Sequence, residues 1–437
     1  MAGIFKAYDI RGLCPGELNE ELAYKIGRAS VIFLKAKKIL VGRDCRKSSL
    51  PLKKSLVYGI TDQGADVIDT GYSNTPMIYY ASIKHDALMI TASHLPKEYN
   101  GIKVAKKGVD IIGEHNGLPQ IEKLVNKCHF PDTRKKGKVT AKNILPDYAR
   151  YVKKIVNGKY KPLKVLIDCG NGMAGHVVPT LMKGLPIKYK LLYGEMDGSF
   201  PNHIANPLLE ENTAELQKQV VSGKYDIGIA YDADCDRVFF IDEKGRRVRS
   251  DHAFILFARH LCKKGDKAVF AANMSRIVRE KMKEFGIKAY PNMVGHTEIP
   301  LRMKKENANF GGELSGHWYF KKFNFVDSGD VAALFMLDIL SKSGKKMSEL
   351  VKPLEKYSIS GEINYKVADK QAAMKKVEEA FKKYKKETVD GISFFGEDFW
   401  FNLRLSKTEN VVRLNADADS KKKLDQVIDW VSKLLQG

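Results

Sequence analysis

The sequence predicts three α/β domains in tandem, each built on a mixed sheet, followed by a smaller C-terminal α+β domain. Three observations carry this. Strand-length apolar runs alternate with helix-length segments three times, in the same order of elements. Each repeat delivers a polar loop from the end of an apolar strand, then a hairpin and a closing helix. The last part of the chain abandons that order. Strands alternating with helices imply mainly parallel sheets buried on both faces, and each trailing hairpin adds antiparallel strands at one edge.

In the first repeat, residues 38–42 form a strand that ends at Arg43-Asp44, and a helix follows over 48–63. A second strand covers 65–69, and Thr75-Pro76 opens another helix. The apolar run 87–91 then feeds Thr91-Ala92-Ser93-His94-Leu95-Pro96, where regular structure breaks. Residues 102–104 and 109–112 flank Lys107-Gly108 as a hairpin, and 118–126 close the unit as a helix. The second repeat reads as strands 164–168 and 189–193, helix 210–221 and strand 226–230, which enters Asp232-Ala233-Asp234-Cys235-Asp236-Arg237. Its hairpin is 238–241 with 247–249, and its helix 252–262. The third has strands 267–271, 288–290 and 308–310, with a helix beginning near Thr297. The loop Gly311-Gly312-Glu313-Leu314-Ser315-Gly316-His317 follows, then a hairpin 318–320 with 324–326 and helix 330–340. The tail holds a short strand and an amphipathic helix within 356–381. Strands 399–403 and 411–414 flank a polar loop over 404–410, and helix 420–435 ends the fold. The domains divide as 1–146, 147–250, 251–356 and 357–437.

Composition bounds the function. The 437 residues suffice for roughly three domains on the usual size prior, and 44% hydrophobic with 29% charged residues fit a chain with ample cores. No apolar run approaches the ~18 residues of a membrane-spanning helix, and the first residues carry no apolar leader core. The six cysteines form no C-x-x-C pair and read as free thiols in a reducing cytoplasm. The net charge of +22 suits anionic substrates or solvated lysine faces. The lysines are scattered, and no zinc-finger spacing or RNP-type aromatic motif supports specific nucleic-acid binding.

Ser93 falls where open α/β sheets bind ligands, at the carboxyl end of a strand. Alone it reads first as an ordinary loop serine, with a nucleophile or a phosphate carrier as the alternatives. Asp232, Asp234 and Asp236 alternate, so an extended loop turns all three carboxylates to one side. Three hard oxygen donors suit Mg²⁺. An EF-hand is excluded, because Arg237 stands where its glycine belongs and the next residues are strand-like. Gly170, Gly172 and Gly175 form a G-x-G-x-x-G after a strand, with Glu195 near where a ribose-binding acid would sit. Asp168 at the strand end is unusual for a dinucleotide site, so the preferred reading is a plain strand-to-helix turn. Arg404, Ser406 and Thr408 alternate around Lys407 as a phosphate cradle, with a polar hairpin turn as the plainer alternative. His296 and His317 each adjoin a loop glycine and suit acid–base work. Glu313 and Ser315 alternate and suit sugar hydroxyls. Tyr8-Asp9-Ile10-Arg11-Gly12 places an arginine beside a glycine near the start. No Walker loop, kinase signature or G-x-S-x-G elbow is present.

Taken in order, these motifs resemble those of the α-D-phosphohexomutases, the family of phosphomannomutase, phosphoglucomutase and phosphoglucosamine mutase. The resemblance covers essentially the whole chain: Tyr8 to Gly12, the Ser93 loop with Asn100-Gly101-Ile102-Lys103, the aspartate loop, Gly312 to His317, and Arg404 to Glu409. The Glu313-to-His317 loop and Val294-Gly295-His296 are most like the bifunctional phosphomannomutase/phosphoglucomutase type. The resemblance implies four domains around a central cleft. It implies a phosphorylated Ser93, and Mg²⁺ held by Asp232, Asp234, Asp236 and a phosphoserine oxygen. Arg11 and Lys103 would stabilise the moving charge, and His317 would shuttle a proton. Tyr8, His94, Arg237, His296, Glu313, Ser315, Arg404, Ser406, Lys407 and Thr408 would bind substrate. The implied reaction interconverts hexose 1- and 6-phosphates, of mannose and/or glucose, through a hexose 1,6-bisphosphate that also serves as activator. A phosphoglucosamine mutase and a mutase-like binding protein remain alternatives. Hexose phosphates are the expected partners of a monomer or weak homodimer, with no membrane. Leu95, Ala233, Cys235, Asn273 and Asn410 depart from the family pattern.

Overall fold

The computed structural model describes residues 3–133, 135–406 and 411–436. The chain divides into two compact units, Met1–Arg247 with Gly316–Met347, and Val248–Ser315 with Ser348–Gly437.

In the first unit, Lys38–Arg43, Asp66–Tyr72, Asp86–Ile90 and Val139–Ala141 form parallel pairs. Tyr99–Lys106 joins Asp86–Ile90 antiparallel and pairs with Asp110–Ile111, giving the expected hairpin. Its other side is covered by Ile10–Leu13, so an N-terminal strand takes the sheet edge. Leu88, Met89 and Ile90 are fully buried, as a strand covered on both faces requires. Each such side chain contributes roughly 1.5–3 kcal/mol. Arg43 is in register with Ile90, so the loops after both strands leave the sheet side by side. Asn74 accepts a hydrogen bond from the Met77 amide at 2.9 Å and, with Pro76, starts the helix Thr75–Ser82.

The second sheet runs Arg247–Val248, Val238–Asp242, Ile227–Tyr231, Leu163–Asp168, Ile187–Leu192, with its hairpin at the edge as expected. Ala230 is level with Asp168, so again two loops leave together. The expected helix over 210–221 starts as a 3₁₀ turn, Glu210–Thr213, before Ala214–Ser222. Trp318–Phe320 pairs antiparallel with Val326–Asp327, and the Trp318 indole donates to the Val238 carbonyl at 3.0 Å. The strand expected over 324–326 is therefore mostly absent. Asn324 and Phe325 sit at φ of 59° and 67°, and two successive left-handed residues cannot continue a strand. Helix Gly329–Ser343 follows, buried around most of its circumference.

In the second unit, Lys267–Ala271 pairs parallel with both Lys288–Asn292 and Phe310–Gly312. Helices Ser250–Leu261, Arg276–Glu284 and Glu298–Glu306 accompany them. The C-terminal sheet is antiparallel throughout, in the order Ser358–Lys366, Val411–Ala418, Phe399–Leu405, Ile392–Phe395, Lys385–Glu387. Helices Lys370–Ala380 and Lys421–Gln436 pack on it over a core that includes Phe381, Phe394 and Phe401. Arg276 ties this sheet to its neighbour, with Nε 2.7 Å from Asp417 Oδ1. Among the described residues no helix is long and apolar enough to cross a membrane.

Candidate active site

Ser93 sits at the carboxyl end of the strand Asp86–Ile90, fully buried. Its φ of 51° is in the left-handed region, which costs a residue with a side chain on the order of 1–3 kcal/mol. Local bonds hold it there: its amide donates to Thr91 Oγ1 at 2.9 Å. Ser93 Oγ donates to Asp232 Oδ2 at 2.8 Å and lies 3.3 Å from His94 Nδ1.

Asp232, Asp234 and Asp236 are buried, with carboxylate oxygens within 4.8 Å of one another. At that distance two unit charges repel by roughly 3 kcal/mol for an effective dielectric near 20. Cations offset part of this. Lys103 Nζ lies 3.0 Å from Asp234 Oδ2 and 2.5 Å from Asp236 Oδ2. Burial works against the Lys103 charge, but Asp234 and Asp236 hold it well above the ordinary lysine range. Against burial, Lys103 and then His317 hold the Asp236 carboxyl well below its usual range. Asp232 goes the other way: burial, then Asp236 and Asp234, push it well above. Asp234 Oδ1 and Asp236 Oδ1 are buried without a hydrogen-bond partner among the described residues. Unsatisfied anionic oxygens converging beside Ser93 fit a hard divalent cation such as Mg²⁺.

Arg237, His94 and His317 line the same place. The Arg237 amide donates to Asp232 Oδ1 at 3.2 Å. Its Nη2 reaches His94 Nδ1 at 2.7 Å, and its Nε donates to His317 Nε2 at 3.3 Å. Burial, then Arg237 and Arg11, hold the His94 pKa well below the usual histidine range, so this ring is neutral. His317 Nε2 is 3.6 Å from both Asp236 Oδ1 and Asp327 Oδ2. Arg11 is paired with Asp9 at 2.7 Å, on the strand that meets Gly101, and Tyr8 is half-buried just before Asp9. Residues from widely separated stretches of sequence therefore meet around Ser93.

The remaining expected residues belong to the second unit. Glu313 is buried, and its Oε1 accepts from the Gly295 amide at 2.6 Å, bringing it beside the turn that carries buried His296. Ser315 is half-buried. Arg404 lies on the strand Phe399–Leu405, one residue pair inside the expected loop, because the strand continues through Leu405 opposite Val412. Its Nη2 pairs with Glu362 Oε2 at 3.0 Å. Ser406 is buried, and its amide donates to the Val411 carbonyl at 3.0 Å. Lys407 and Thr408 fall outside the described residues.

Comparison with known proteins decides the family. The phosphoglucomutase/phosphomannomutase alpha/beta/alpha domains I, II and III match residues 2–132, 146–245 and 249–357, and the C-terminal domain of the same family matches 362–434. The chain belongs to the phosphoglucomutase/phosphomannomutase family. Phosphomannomutase of Escherichia coli K12 is 37% identical over 430 residues, covering 95% of this chain and 94% of its own. A Xanthomonas campestris protein described as phosphohexose mutases is 36% identical, covering 99% of both chains. The crystal structure of a family protein from Burkholderia thailandensis superposes with a TM-score of 0.90 at 27% identity, over 99% of this chain and 97% of that one. The protein is a phosphohexomutase, an isomerase acting on hexose phosphates.

Within this phosphohexomutase three of the departures noted in the sequence, at Ala233, Cys235 and Leu95, have structural counterparts; Asn273 is buried, and Asn410 falls outside the described residues. Ala233 stays out of the left-handed region and needs no glycine, whereas Cys235 sits at φ 60° and carries the strain itself. Leu95 offers its carbonyl to Arg46 at 2.7 Å, a contact that any residue supplies. The G-x-G-x-x-G also finds its explanation. A Cβ on Gly172 would lie 2.7 Å from Ala233 Cα, so this glycine lets the aspartate loop approach. Contributors that sequence reasoning passed over are Arg46, Thr75 and Asp327. Thr75 Oγ1 donates to Asp234 Oδ2 at 2.5 Å, and Asp327 is buried with a carboxyl pushed up to about 7, mainly by burial. The signal for Thr75 lay in its place opening a helix; a lone Asp327 carried none.

Proposed function

We propose that this phosphohexomutase interconverts hexose 1-phosphate and hexose 6-phosphate, of mannose and/or glucose, by passing a phosphoryl group through Ser93. The reading is carried by the Ser93 hydroxyl held 2.8 Å from Asp232 among buried carboxylates. In the first step the Oγ–P bond of phospho-Ser93 breaks, and the free hydroxyl of the sugar forms the new P–O bond. The resulting 1,6-bisphosphate reorients and returns its other phosphoryl group to Ser93, leaving the isomeric monophosphate.

Asp232, Asp234, Asp236 and the Ser93 phosphate would hold Mg²⁺, which when bound offsets the charge of the transferring group. Lys103 already spans Asp234 and Asp236, so its ammonium is placed to share that task with Arg11. His317 takes the proton of the attacking hydroxyl. Tyr8, His94 and Arg237 contact the substrate near Ser93. Glu313, Ser315 and His296 bind sugar hydroxyls, and Arg404, Ser406, Lys407 and Thr408 grip the non-reacting phosphate. The six cysteines stand as free thiols, in keeping with a cytoplasmic enzyme. Coupled assays on mannose 1-phosphate, glucose 1-phosphate and glucosamine 1-phosphate, primed with the bisphosphate, test the assignment. Turnover of glucosamine 1-phosphate alone would make this a phosphoglucosamine mutase. No turnover of any would overturn the reading.

A further inference from the structure

We propose that Arg46 is a positioning residue for phosphoryl transfer, a buried clamp that fixes the Ser93 loop by its backbone carbonyls. The proposal rests on the reading that Ser93 carries the phosphoryl group. Arg46 leaves the strand Lys38–Arg43, which is in register with the strand that delivers Ser93. Its side chain is 0% exposed, so it touches no substrate. Nη2 donates to the carbonyls of Ser93 at 2.6 Å and Leu95 at 2.7 Å. Nη1 donates to Pro96 at 2.8 Å and Tyr99 at 3.3 Å. One guanidinium therefore gathers carbonyls from both ends of the loop.

The cation is itself held by an ion pair and by a ring. Nε lies 3.2 Å from Asp44 Oδ2, and Asp44 Oδ1 accepts from the Arg46 amide and from Ser49 Oγ. The guanidinium stacks 4.9 Å from the Phe200 ring, which comes from the domain that carries the aspartates. Gly198 seats that segment on Arg46: a Cβ there would lie 2.4 Å from Arg46 Cα and from the Cys45 carbonyl. Arg46 thus joins the two pieces whose spacing sets the 2.8 Å contact between Ser93 and Asp232. Ser93 is also in a left-handed conformation that the loop must be made to keep. Arginine suits the task because its planar fork presents five fixed N–H donors; lysine has three on one point and cannot span four carbonyls. The clamp reads only backbone, so Leu95 leaves it intact.

The test uses full-length Arg46→Lys, with folding checked by thermal melting. Phosphorylatable Ser93 is counted by intact mass after incubation with glucose 1,6-bisphosphate, and turnover is expressed per labelled site. A displacement of the nucleophile by ~1 Å costs on the order of 100-fold, so kcat per site should fall about 10- to 100-fold. KM for the hexose monophosphate should stay nearly unchanged, and added guanidinium ion should restore part of kcat in Arg46→Ala. Fewer labelled sites with wild-type turnover per site would overturn the proposal, since arginine would then serve folding alone. If Arg46→Lys fails to fold, Phe200→Leu decides: reduced kcat per site supports the clamp, and wild-type kcat per site overturns it. Wild-type protein that takes no phosphate on Ser93 would overturn the phosphoserine reading, and this proposal with it.

Discussion

Gly172→Ala tests whether the glycine-rich turn exists to support the aspartate loop. The added Cβ would stand 2.7 Å from both Cα and O of Ala233, which lies between Asp232 and Asp234. Carbon atoms pack at about 3.5–4.0 Å, so one backbone must retreat by roughly 1 Å. Gly172 is not in the left-handed region, so the dihedral itself does not exclude alanine. Its own segment has little room, because its amide donates to the Cys169 carbonyl at 2.7 Å and the Met173 amide to Ala233 at 2.8 Å. The aspartate loop therefore moves, and the 2.8 Å bond from Ser93 to Asp232 stretches towards the limit beyond which it is no bond. Overpacking of this kind costs about 1–3 kcal/mol of stability. A misplacement near 1 Å at the reacting group costs on the order of 100-fold in rate. Denaturant titration and the coupled mutase assay measure the two effects, with Mg²⁺ dependence as a third readout. Gly16→Ala is the control, since nothing lies within 4 Å of its Cβ. Wild-type turnover and wild-type Mg²⁺ dependence in Gly172→Ala would refute the argument.

Ser93→Ala should fold, since it removes only the hydroxyl contacts to Asp232 and His94, yet mutase turnover should drop by at least ~1,000-fold because the carrier oxygen is gone; near-wild-type activity would sink the mechanism. Chelation with EDTA should abolish turnover and Mg²⁺ should restore it, so full activity after exhaustive chelation would contradict the metal assignment. Arg404→Ala should lower kcat/KM by about 10- to 150-fold, from roughly 1.5–3 kcal/mol for a charge-assisted bond to phosphate. Ser93 should still accept phosphate from the bisphosphate in that variant, and loss of labelling would show that Arg404 serves more than substrate grip. Glu362→Gln, which removes the internal carboxylate 3.0 Å from Arg404, should tighten hexose-phosphate binding; weaker binding measured by calorimetry would argue against competition at that arginine.

The parts of this structure that were legible in the sequence are those where one local pattern dictates one geometry. Apolar strand runs ending in polar loops placed Ser93 and the aspartates at strand ends. The three carboxylates do converge, but through a turn rather than along the expected extended loop: the Cys235 amide donates to the Asp232 carbonyl at 3.3 Å, and Cys235 is left-handed at φ 60°. Helix Arg276–Glu284 left a weaker trace, because only Ile277, Val278 and Met282 are buried on an otherwise charged segment. The strand expected over 324–326 failed because Asn324, at φ 59°, caps the preceding 3₁₀ turn Lys321–Phe323, and Phe325 at φ 67° follows it. Arg404 moved onto a strand because cross-strand pairing extended beyond the apolar run. Arg46 was invisible for a different reason. Its partners are carbonyls, which carry no sequence identity, and a charged residue in a loop ordinarily reads as surface. The glycines of the G-x-G-x-x-G were conspicuous, yet the purpose of Gly172 depends on Ala233, brought in from another loop, and that of Gly175 on the Gly194 backbone beside it.

The central claim is that Ser93 carries the phosphoryl group. Full-length protein incubated with glucose 1,6-bisphosphate and Mg²⁺, then measured by intact mass and peptide fragmentation, tests it most directly. The account predicts a single phosphate on Ser93 that is discharged by adding hexose monophosphate, and none in Ser93→Ala. An enzyme that turns over while Ser93 remains unmodified, or that carries its exchangeable phosphate on another residue, would contradict it.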